Sequence, residues 1–339
     1  MLHSEAELED CLSAPTESDK QALRDLEGDL LILGVAGKMG PSLARRARRA
    51  ANEAGVSKRI IGVSRFTDAA ARRALEASGI ETIAADLLDP SLIDALPDAG
   101  NVIFMAGRKF GSAGAERLTW ATNACLPTWV CARYRQSKIV AFSSGNVYPF
   151  VPVNGGGATE ETPPEPVGEY AQSVLARERI FEFFSERYGT RVCLLRLNYA
   201  VELRYGVLLD VGVKVFEGQP VDLTMGHLNA IWQGDANSVC LRSFGLCQSP
   251  PTVLNLTGAE VLAVRDIAVR FGELLGREPV FEGREAETAL LNDAGRCNRL
   301  FGPPATDVQT AIELTAHWIR TGGPTWAKPT HFEARDGRF

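Results

Sequence analysis

The chain has 339 residues, 45% of them hydrophobic and 23% charged, and its 36 Lys and Arg against 42 Asp and Glu give a formal net charge of −6. This is an ordinary globular composition, and no apolar run reaches the 18 residues that a membrane span needs. The acidic balance argues against nucleic-acid binding, because the basic run ARRARR falls on a predicted helix. We therefore expect neither a membrane nor a nucleic-acid partner.

Residues 1–28 are predicted to form a helical lead-in, and from Asp29 short apolar runs alternate with longer amphipathic stretches. Such alternation predicts a parallel sheet with helices on both faces. Residues 29–200 are therefore expected to be an α/β domain, a Rossmann-type doubly wound parallel sheet that binds a dinucleotide. Helices are expected at about 117–134 and 170–188. The six expected strands are DLLILG, RIIGVS, ETIAAD, NVIFMAG, KIVAFSS and RVCLLRLN.

A Gly- and Pro-rich stretch, residues 148–168, separates the fifth expected strand from its helix and predicts a long functional loop. Beyond residue 200 the alternation weakens. Residues 201–321 are assigned to a smaller substrate-binding α/β lobe that closes over the sheet and can share part of its fold, and residues 322–339 to an irregular tail. In the lobe, strands are expected near Val221, Leu228 and Pro279, and helices near Ala236, near Val264 and at 307–320.

The cysteines and histidines carry no metal or disulfide signature. The seven cysteines form no Cys-x-x-Cys pair and lie mostly in apolar segments, as is typical of reduced core residues in a cytoplasmic protein. The four histidines are scattered, so no metal site is expected. The first 20 residues lack the basic and apolar regions of a secretory signal, so the predicted location is the cytoplasm.

Three glycines, Gly34, Gly37 and Gly40, stand between the first expected strand and the first helix of the domain. A dinucleotide site needs a tight turn there, close backbone approach to a pyrophosphate, and a helix amino terminus that receives negative charge. The second strand ends in Ser64 and Arg65, where an acidic residue would hold the ribose hydroxyls of NAD. An arginine can instead pair with the 2′-phosphate of NADP, so NADP is preferred over NAD.

Further residues resemble the extended short-chain dehydrogenase/reductases, also called the NAD-dependent epimerase/dehydratase family. They are Asp86, the Ala106–Gly107 pair, Asn123 and the motifs SSGNVY and LRLNY, and the resemblance covers most of residues 29–275. It implies an NAD(P)-dependent oxidoreductase or epimerase that is a homodimer through the helices at about 117–134 and 170–188. The implied cofactor-binding residues are Gly34, Gly37, Lys38, Met39, Gly40, Ser64, Arg65, Asp86, Leu87, Ala106, Gly107 and Asn123.

The same resemblance selects Ser144 and Tyr170 as the catalytic pair. A carbonyl that is reduced gains negative charge on oxygen, so it needs a proton donor and a second hydrogen-bond donor. A tyrosine with a pKa of about 10 is a poor base at neutral pH, and the family places a lysine four residues on, along the same helix face. Here that residue is Val174. A second Tyr-x-x-x-Lys pattern, Tyr134 to Lys138, runs from a helix into a strand, so its side chains would not share a helix face.

Three interpretations of Val174 remain open. In the first, another cation substitutes, with Arg108 or Lys109 beyond the fourth strand as candidates. In the second, Tyr170 acts only as an acid, which suits reduction. In the third, the protein is a catalytically impaired dinucleotide-binding sensor or partner protein.

Two departures from the family indicate a small substrate. Dehydratases of the family carry an Asp-Glu pair where this chain has Gly145 and Asn146, and no arginine precedes the segment 234–237, where relatives clamp a sugar-nucleotide diphosphate. A small sugar, sugar acid or hydroxy acid becomes the expected substrate. Its candidate contacts are Arg108, Lys109, Asn198, Arg204 and His227, although Arg204 and His227 are also compatible with purely structural roles.

Overall fold

The computed structural model describes residues 1–109 and 114–338. Its strands form one large parallel sheet and several two-stranded pairs. In chain order they are β1 (Leu30–Leu33), β2 (Ile60–Ser64), β3 (Glu81–Ala84), β4 (Asn101–Phe104), β5 (Lys138–Ser144), β6 (Val151–Pro152), β7 (Arg191–Leu197), β8 (Ala200–Val201), β9 (Pro220–Asp222), β10 (His227–Leu228), β11 (Ile231–Trp232), β12 (Thr252–Leu256), β13 (Leu262–Ala263), β14 (Val280–Glu282) and β15 (Thr288–Ala289).

Helices cover both faces of this sheet and build the second lobe. They are α1 (Glu5–Ser13), α2 (Glu17–Asp25), α3 (Gly40–Glu53), α4 (Ala69–Ala77), α5 (Pro90–Asp94), α6 (Glu116–Trp120), α7 (Leu126–Arg133), α8 (Gly168–Tyr188), α9 (Val207–Glu217), α10 (Gln233–Arg242), α11 (Val264–Leu275), α12 (Gly295–Phe301) and α13 (Val308–Arg320). A π-helical turn, Ala121–Cys125, joins α6 to α7.

The large sheet is a Rossmann-type doubly wound α/β fold with the strand order β12-β7-β5-β4-β1-β2-β3. The order reverses at β1, which pairs in parallel with β2 on one side and β4 on the other. Ligands of such sheets bind outside the carboxyl ends of the strands at this reversal. The apolar runs that predicted strands are buried on both faces, as for Leu30–Leu33 and Asn101–Phe104.

The sheet has a strand beyond the six expected from the sequence. Thr252–Leu256 pairs in parallel with β7, from Thr252 beside Cys193 to Leu256 beside Leu197. The same part of the chain contributes α10, which packs against α3 through hydrogen bonds from Gln233 and Asn237 to the Ser42 hydroxyl, each 2.9 Å. Residues 233–256 therefore return from the lobe to complete the sheet domain.

The amino-terminal helices α1 and α2 pack against α3 of the sheet domain. Thr16 and Asp19 form a capping box at the start of α2. Asp19 is fully buried and pairs with Arg46 of α3 at 2.7 Å, while Ser238 of α10 donates to its other oxygen at 2.6 Å. Breaking one partner of such a buried pair is costly, so α2 is fixed to both neighbours.

The second lobe packs around α9, α11 and α13. Its core contains Val211, Phe271 and Trp318, all essentially inaccessible. Gly212 allows the close approach of these helices, because a Cβ there would lie 2.7 Å from Ile319. After α13 the chain runs back across the lobe as an irregular segment, residues 321–338. Among the described residues, none of the helices is long and apolar enough to cross a membrane.

Candidate functional site

A cleft of about 680 Å³ lies at the carboxyl ends of β1 to β4. Most of the residues expected to hold a cofactor line it: Gly34, Gly37, Lys38, Ser64, Arg65, Asp86, Leu87, Ala106 and Gly107. Met39, Gly40 and Asn123 lie behind this lining. Residues outside the sheet domain also reach the cleft, namely Glu9 of α1 and Trp326 and Lys328 of the terminal tail. No sequence pattern had indicated these three.

The glycine loop between β1 and α3 has the shape that a pyrophosphate requires. Gly34 has a φ of +92°, and a Cβ there would lie 2.7 Å from the Ala106 nitrogen, so the loop presses on the end of β4. A Cβ on Gly40 would lie 2.1 Å from the Val35 carbonyl oxygen. The turn delivers the amino terminus of α3 to the cleft, where free N–H groups favour an anion. The residues present fit the diphosphate of a dinucleotide.

The far end of the cleft is formed by the loops after β2 and β3. Arg65 is exposed at the rim, and the next residue, Phe66, has a φ of +48°, which is unusual for a side chain of that size. Two carboxylates also face this end. Asp68 caps α4 by accepting the Ala70 N–H at 2.8 Å, and Asp86 accepts the Leu88 N–H at 3.0 Å.

The opposite end of the cleft is supported by Asn123 on the π-helical turn. Its amide oxygen accepts the Arg108 N–H at 3.0 Å, and its amide nitrogen donates to the Arg108 carbonyl, also at 3.0 Å. The same amide nitrogen donates to Ser173 of α8 at 2.9 Å. Asn123 is fully buried, so it positions the backbone after Gly107 rather than facing the cleft itself.

Ser144 and Tyr170 lie together beyond this end, where β5 follows β4 in the sheet. Their side chains share a hydrogen bond. Ser144 also donates to the Asn146 side chain at 2.9 Å and accepts the Asn146 N–H at 3.2 Å, which fixes its rotamer. Burial raises the pKa of Tyr170 above 10, although the Ser144 hydrogen bond and the charge of Arg177 oppose this rise. At neutral pH the phenol is therefore protonated and is a proton donor.

Val174 lies in an apolar cluster with Val147, Tyr148 and Ala158 and is 1% exposed. The sequence analysis missed Arg177, a cation that lies two helical turns after Tyr170 on α8. It is buried and donates to the Asn123 amide oxygen and to the Phe142 carbonyl, each at 2.7 Å. Burial lowers its pKa to about 10, so it stays charged at neutral pH. Its seven-residue spacing from Tyr170 places both residues on one face of α8, but that spacing alone does not show that Arg177 reaches the site.

Arg177 lies directly behind the cleft wall, because a Cβ on Gly107 would be 3.0 Å from its Nη2. Two lysines lie against tyrosine rings in this region. The Lys109 ammonium is 5.8 Å from the centre of the Tyr170 ring, and burial lowers its pKa to about 8. The Lys38 ammonium is 3.1 Å from the centre of the Tyr205 ring. Burial, and then the charges of Lys328 and Lys109, lower the pKa of Lys38 to about 7.

The other candidate substrate contacts lie deeper or are already paired. Asn198 is buried and donates to the Leu290 carbonyl at 3.3 Å. Arg204 pairs with Glu9 at 2.7 Å and with Glu202 at 3.2 Å, so its charge joins α1 to the lobe. His227 begins β10, in the two-stranded pair with β13.

The second Tyr-x-x-x-Lys pattern is separated as its geometry predicted. The Tyr134 hydroxyl donates to the Pro97 carbonyl at 3.0 Å, and Lys138 begins β5 at the end of the sheet opposite Ser144. Within residues 1–109 and 114–338, no group of three or more His, Cys, Asp or Glu side chains is arranged to hold a metal ion.

A buried ion pair below Ser144 also escaped the sequence analysis. Arg196 of β7 forms two hydrogen bonds with Glu178 of α8, at 3.0 and 2.7 Å, and donates to the Tyr148 hydroxyl at 2.8 Å. Ser143 donates to the same carboxylate. This network holds α8 against β5 and β7 and so fixes the distance between Ser144 and Tyr170.

Three solved structures with the same fold are epimerases or a dehydratase of nucleotide-linked sugars. The UDP-glucose 4-epimerase of Thermotoga maritima, solved with UDP-glucose, is 17% identical, with 87% of this chain and 99% of that chain covered and a TM-score of 0.72. The UDP-glucuronic acid 4-epimerase of Bacillus cereus, solved with NAD, is 15% identical, with 86% and 99% covered and a TM-score of 0.71. The dTDP-glucose 4,6-dehydratase of Streptomyces venezuelae, solved with NAD, is 18% identical, with 86% of this chain and 97% of that chain covered and a TM-score of 0.72.

At these identities the structures show a shared fold alone. No curated protein matches the chain. The NAD dependent epimerase/dehydratase family matches residues 30–201, which spans the sheet domain from β1 to β8 and includes the glycine loop, Ser144 and Tyr170. This chain belongs to the NAD dependent epimerase/dehydratase family.

Proposed function

We propose that this protein is an NAD(P)-dependent oxidoreductase or epimerase that acts by hydride transfer on a small sugar, sugar acid or hydroxy acid. The observation that carries the proposal is the Ser144–Tyr170 hydrogen bond beside the cleft that the glycine loop opens. The order of the strands supports it, because a dinucleotide laid from β3 towards β4 would end next to β5 and Ser144.

The chain's own groups supply the proton chemistry. A nicotinamide dinucleotide, when bound, supplies or accepts the hydride. Gly34, Gly37 and the start of α3 would hold its diphosphate, and Ser64 or Arg65 its far ribose. Ser144, whose hydroxyl proton is donated to Asn146 here, would turn it to the substrate oxygen, and Tyr170 would give that oxygen a proton as negative charge develops on it. In the oxidative direction Tyr170 takes the proton back.

Positive charge near Tyr170 supports the interpretation in which another cation takes the place of Val174. Arg177 lies behind the site and favours the phenolate, and Lys109 lies in front of the ring. The net pKa of Tyr170 nevertheless remains above its ordinary value, which also favours its use as an acid. Both interpretations predict an active enzyme that reduces its carbonyl substrate faster than it oxidises the alcohol at neutral pH.

NADP is proposed as the preferred dinucleotide. Arg65 follows β2 at the rim of the cleft and is exposed, so its guanidinium is available to a 2′-phosphate. The nearest carboxylate after β2, Asp68, is engaged as the cap of α4. A change of Arg65 to Ala should weaken NADP binding about tenfold and leave NAD binding within about twofold, because one charge-assisted contact to the 2′-phosphate is lost.

The experiment that tests the proposal is a titration of the purified protein with NADP, NADPH, NAD and NADH, followed by nicotinamide fluorescence and thermal shift. NADPH is expected to bind most tightly and to be consumed slowly with small aldoses or keto acids. Tyr170→Phe should bind NADPH normally and lose turnover about a thousandfold, because the proton donor is missing. Failure to bind any of the four dinucleotides would overturn the proposal.

A Val174→Lys variant distinguishes an active enzyme from a sensor. If the native chain turns over through Arg177 and Lys109, the added lysine changes the pH profile of an activity that already exists. If NADPH binds but neither the native protein nor the variant reduces any member of the panel, the sensor interpretation replaces the enzyme.

We also propose that the protein is a homodimer through α6, α7 and α8. Leu118 on α6 and Phe183 on α8 are 41% and 56% exposed, and these helices pack side by side. Two such helix pairs, one from each copy, would bury these side chains in a four-helix interface, which supports a second copy of this chain as the partner.

A further inference from the structure

Residues 324–338, called here the terminal segment, bring two side chains to the cofactor cleft from outside the matched family domain. Trp326 and Lys328 line the cleft together with Gly34 and Gly37 of the glycine loop. The family, in contrast, matches residues 30–201 only. These two side chains therefore add to the cleft something that the matched domain does not supply.

A series of polar contacts fixes Trp326 next to α3. Arg45, on the second turn of α3, pairs with Glu9 of α1, and Glu9 pairs with Arg204 at 2.7 Å. The Arg204 carbonyl accepts the Trp326 N–H at 3.1 Å, and the Arg204 guanidinium lies 4.9 Å from the centre of the Trp326 ring. The ring also stacks on Tyr205, with centroids 6.1 Å apart. The terminal segment is thus held beside the helix whose amino terminus would receive a diphosphate.

A second anchor follows two residues after Lys328. The N–H and the hydroxyl of Thr330 donate to one oxygen of Asp210 at 2.7 and 2.6 Å. Between the two anchors, Ala327 has a φ of +49°, a conformation that non-glycine residues keep only where the surroundings impose it. The backbone that carries Lys328 is therefore fixed at both ends, so little further ordering is needed when a ligand binds.

Lys328 adds its charge to that of the glycine loop. The pKa of Lys38, which follows Gly37, is lowered to about 7 by burial first and then by the charge of Lys328, and the opposing charge of Asp210 is a smaller influence. Such an effect requires the two ammonium groups to be near each other. Glu9, a carboxylate that lines the same cleft, is already engaged in ion pairs. Positive charge is thus in excess beside the glycine loop, and a bound diphosphate would relieve the repulsion between the two lysines.

The position of Lys328 favours the diphosphate over the 2′-phosphate as its partner. Arg65, the residue proposed for the 2′-phosphate, lies at the far end of the cleft, after β2. Lys328 lies instead on the side of Lys38 and α3. A lysine binds a phosphate group as a point charge and does not need the bidentate geometry of an arginine. Because NAD and NADP share the diphosphate, a contact there acts on both dinucleotides equally.

We propose that Lys328 is a dinucleotide-binding residue that pairs with the diphosphate, and that Trp326 positions it. The proposal rests on the dinucleotide binding proposed above, and it names a further residue of the same site. It makes the terminal segment a part of the cofactor site, so dinucleotide binding stabilises the folded position of that segment.

The test is a fluorescence titration of the full chain with NADPH and, separately, with NADH. Lys328 is exposed, so Lys328→Met should fold normally and should weaken the binding of both dinucleotides about tenfold, by the same factor. Lys328→Arg keeps the charge and should keep most of the affinity. Lys138→Met is the matched control, because Lys138 begins β5 at the end of the sheet away from the cleft, and it should change neither affinity.

A double-variant cycle tests the role of Trp326. Trp326→Leu should weaken both dinucleotides, and combining it with Lys328→Met should add little further loss, because the two residues act through one contact. Losses that add would show that Trp326 does not act through Lys328 and would overturn its positioning role.

Hydrogen exchange of a peptide covering residues 324–331 gives a readout besides affinity. Saturating NADPH should slow this exchange in the native chain and slow it less in Lys328→Met. Exchange that NADPH leaves unchanged in the native chain would contradict a part for the terminal segment in the cofactor site.

The outcomes separate this proposal from the proposed function. A native chain that binds none of the dinucleotides fails the proposed function itself. Normal binding of NADPH and NADH by Lys328→Met overturns the role of Lys328 and leaves dinucleotide binding intact. A loss confined to NADPH would place Lys328 at the 2′-phosphate and overturn its assignment to the diphosphate.

Discussion

Arg177 is a buried charge close to the proposed catalytic pair. The family resemblance implies a lysine at position 174, where this chain has Val174, and the sequence suggests Arg108 and Lys109 after β4 as substitutes. The charge that the structure places behind Tyr170 comes instead from the same helix, one turn beyond the position of the missing lysine. A residue that acts through the cleft wall cannot be recognised from spacing alone, because its role depends on Gly107 leaving room for it.

Replacing Arg177 with Met is expected to have two separable effects. It removes the Arg177 hydrogen bonds to the Phe142 carbonyl and to the Asn123 amide oxygen, which keeps only the Arg108 N–H, so the free energy of unfolding should fall by about 2–4 kcal/mol. It also removes a charge that favours the Tyr170 phenolate, so the pKa of Tyr170 should rise further. The alkaline limb of the rate of alcohol oxidation should move to higher pH, as a steady-state pH profile would show.

The matched change Arg177→Lys keeps the charge and loses part of the hydrogen bonding. The pH profile of Arg177→Lys should match that of the native chain, while its free energy of unfolding should remain below the native value. If Arg177→Met lowers stability without moving the pH profile, Arg177 is only a structural residue.

The lowered pKa of Lys38 predicts that dinucleotide binding depends on pH. Its pKa is lowered to about 7 by burial and by neighbouring lysines, and a bound diphosphate would raise it again. The ammonium that pairs with the diphosphate is fully present below pH 7 and is lost as the pH rises. The dissociation constant for NADPH should therefore increase by up to about tenfold per pH unit above 7, until the pKa of Lys38 in the complex is reached.

Fluorescence titration between pH 6 and 9 measures this slope. A Lys38→Met variant should bind NADPH more weakly at pH 6 and show a flatter dependence. An unchanged slope in the variant would place the titrating group elsewhere, with Lys109, whose pKa is about 8, as the next residue to change.

At the scale of elements, the glycine loop and α8 were predictable because their requirements are local. The spacing of the three glycines predicted a tight turn between a strand and a helix. The structure shows the backbone contacts that leave no room for a Cβ at Gly34 and Gly40. The helix expected at 170–188 begins at Gly168 and ends at Tyr188, where Gly189 takes a left-handed conformation. The strand Thr252–Leu256 was not expected, because its pairing with β7 joins residues about sixty positions apart.

Two glycine substitutions separate folding from cofactor binding in this loop. Gly34→Ala combines a φ of +92° with a contact of 2.7 Å to the Ala106 nitrogen, so both the melting temperature and NADPH binding should fall. Gly37→Ala meets only the Gly34 carbonyl, at 3.2 Å, so stability should change little while NADPH binding weakens at least about tenfold, because the diphosphate loses its close approach.

Thermal melts and fluorescence titrations of both variants provide the measurement. Gly55→Ala is the control, since it has a φ of +70° but no atom within 4 Å of its Cβ position. Loss of NADPH binding in the control, or its retention in Gly37→Ala, would contradict the assigned role of the loop.

At the scale of the whole molecule, the two ends of the chain meet at the site. Glu9 of α1 pairs with Arg204. The Arg204 guanidinium in turn lies 4.9 Å from the centre of the ring of Trp326, which belongs to the irregular segment after α13. These contacts join residues 195 and about 120 positions apart, and in the sequence each partner looks like an ordinary surface residue. Glu9 and Trp326 both line the cleft, so these contacts bound it on the side of the lobe.

The proposed homodimer is tested by changing one exposed side chain in its interface. Phe183→Arg replaces an exposed aromatic side chain of α8 with a charged one, so sedimentation velocity should show a shift from dimer to monomer. Phe216→Arg, on the exposed face of α9, is the matched control and should leave the sedimentation coefficient unchanged. A native protein that sediments as a monomer would overturn the interface.

The resemblance to a known family selected Ser144 and Tyr170 as a pair, whereas the sequence by itself determined the fold class and the glycine loop. Those features depend on alternation, spacing and local turn chemistry, which a linear pattern records. Only the tertiary structure showed that Arg177 lies behind the cleft wall and that residues 324–338 run back across the lobe. Arg177 lies where Gly107, in the loop after β4, leaves room for it, and residues 324–338 owe their path to contacts with Arg204, Asp210 and Thr288. Such long-range contacts leave no periodic signal, because each partner is chosen for a neighbour that the chain brings close only after folding.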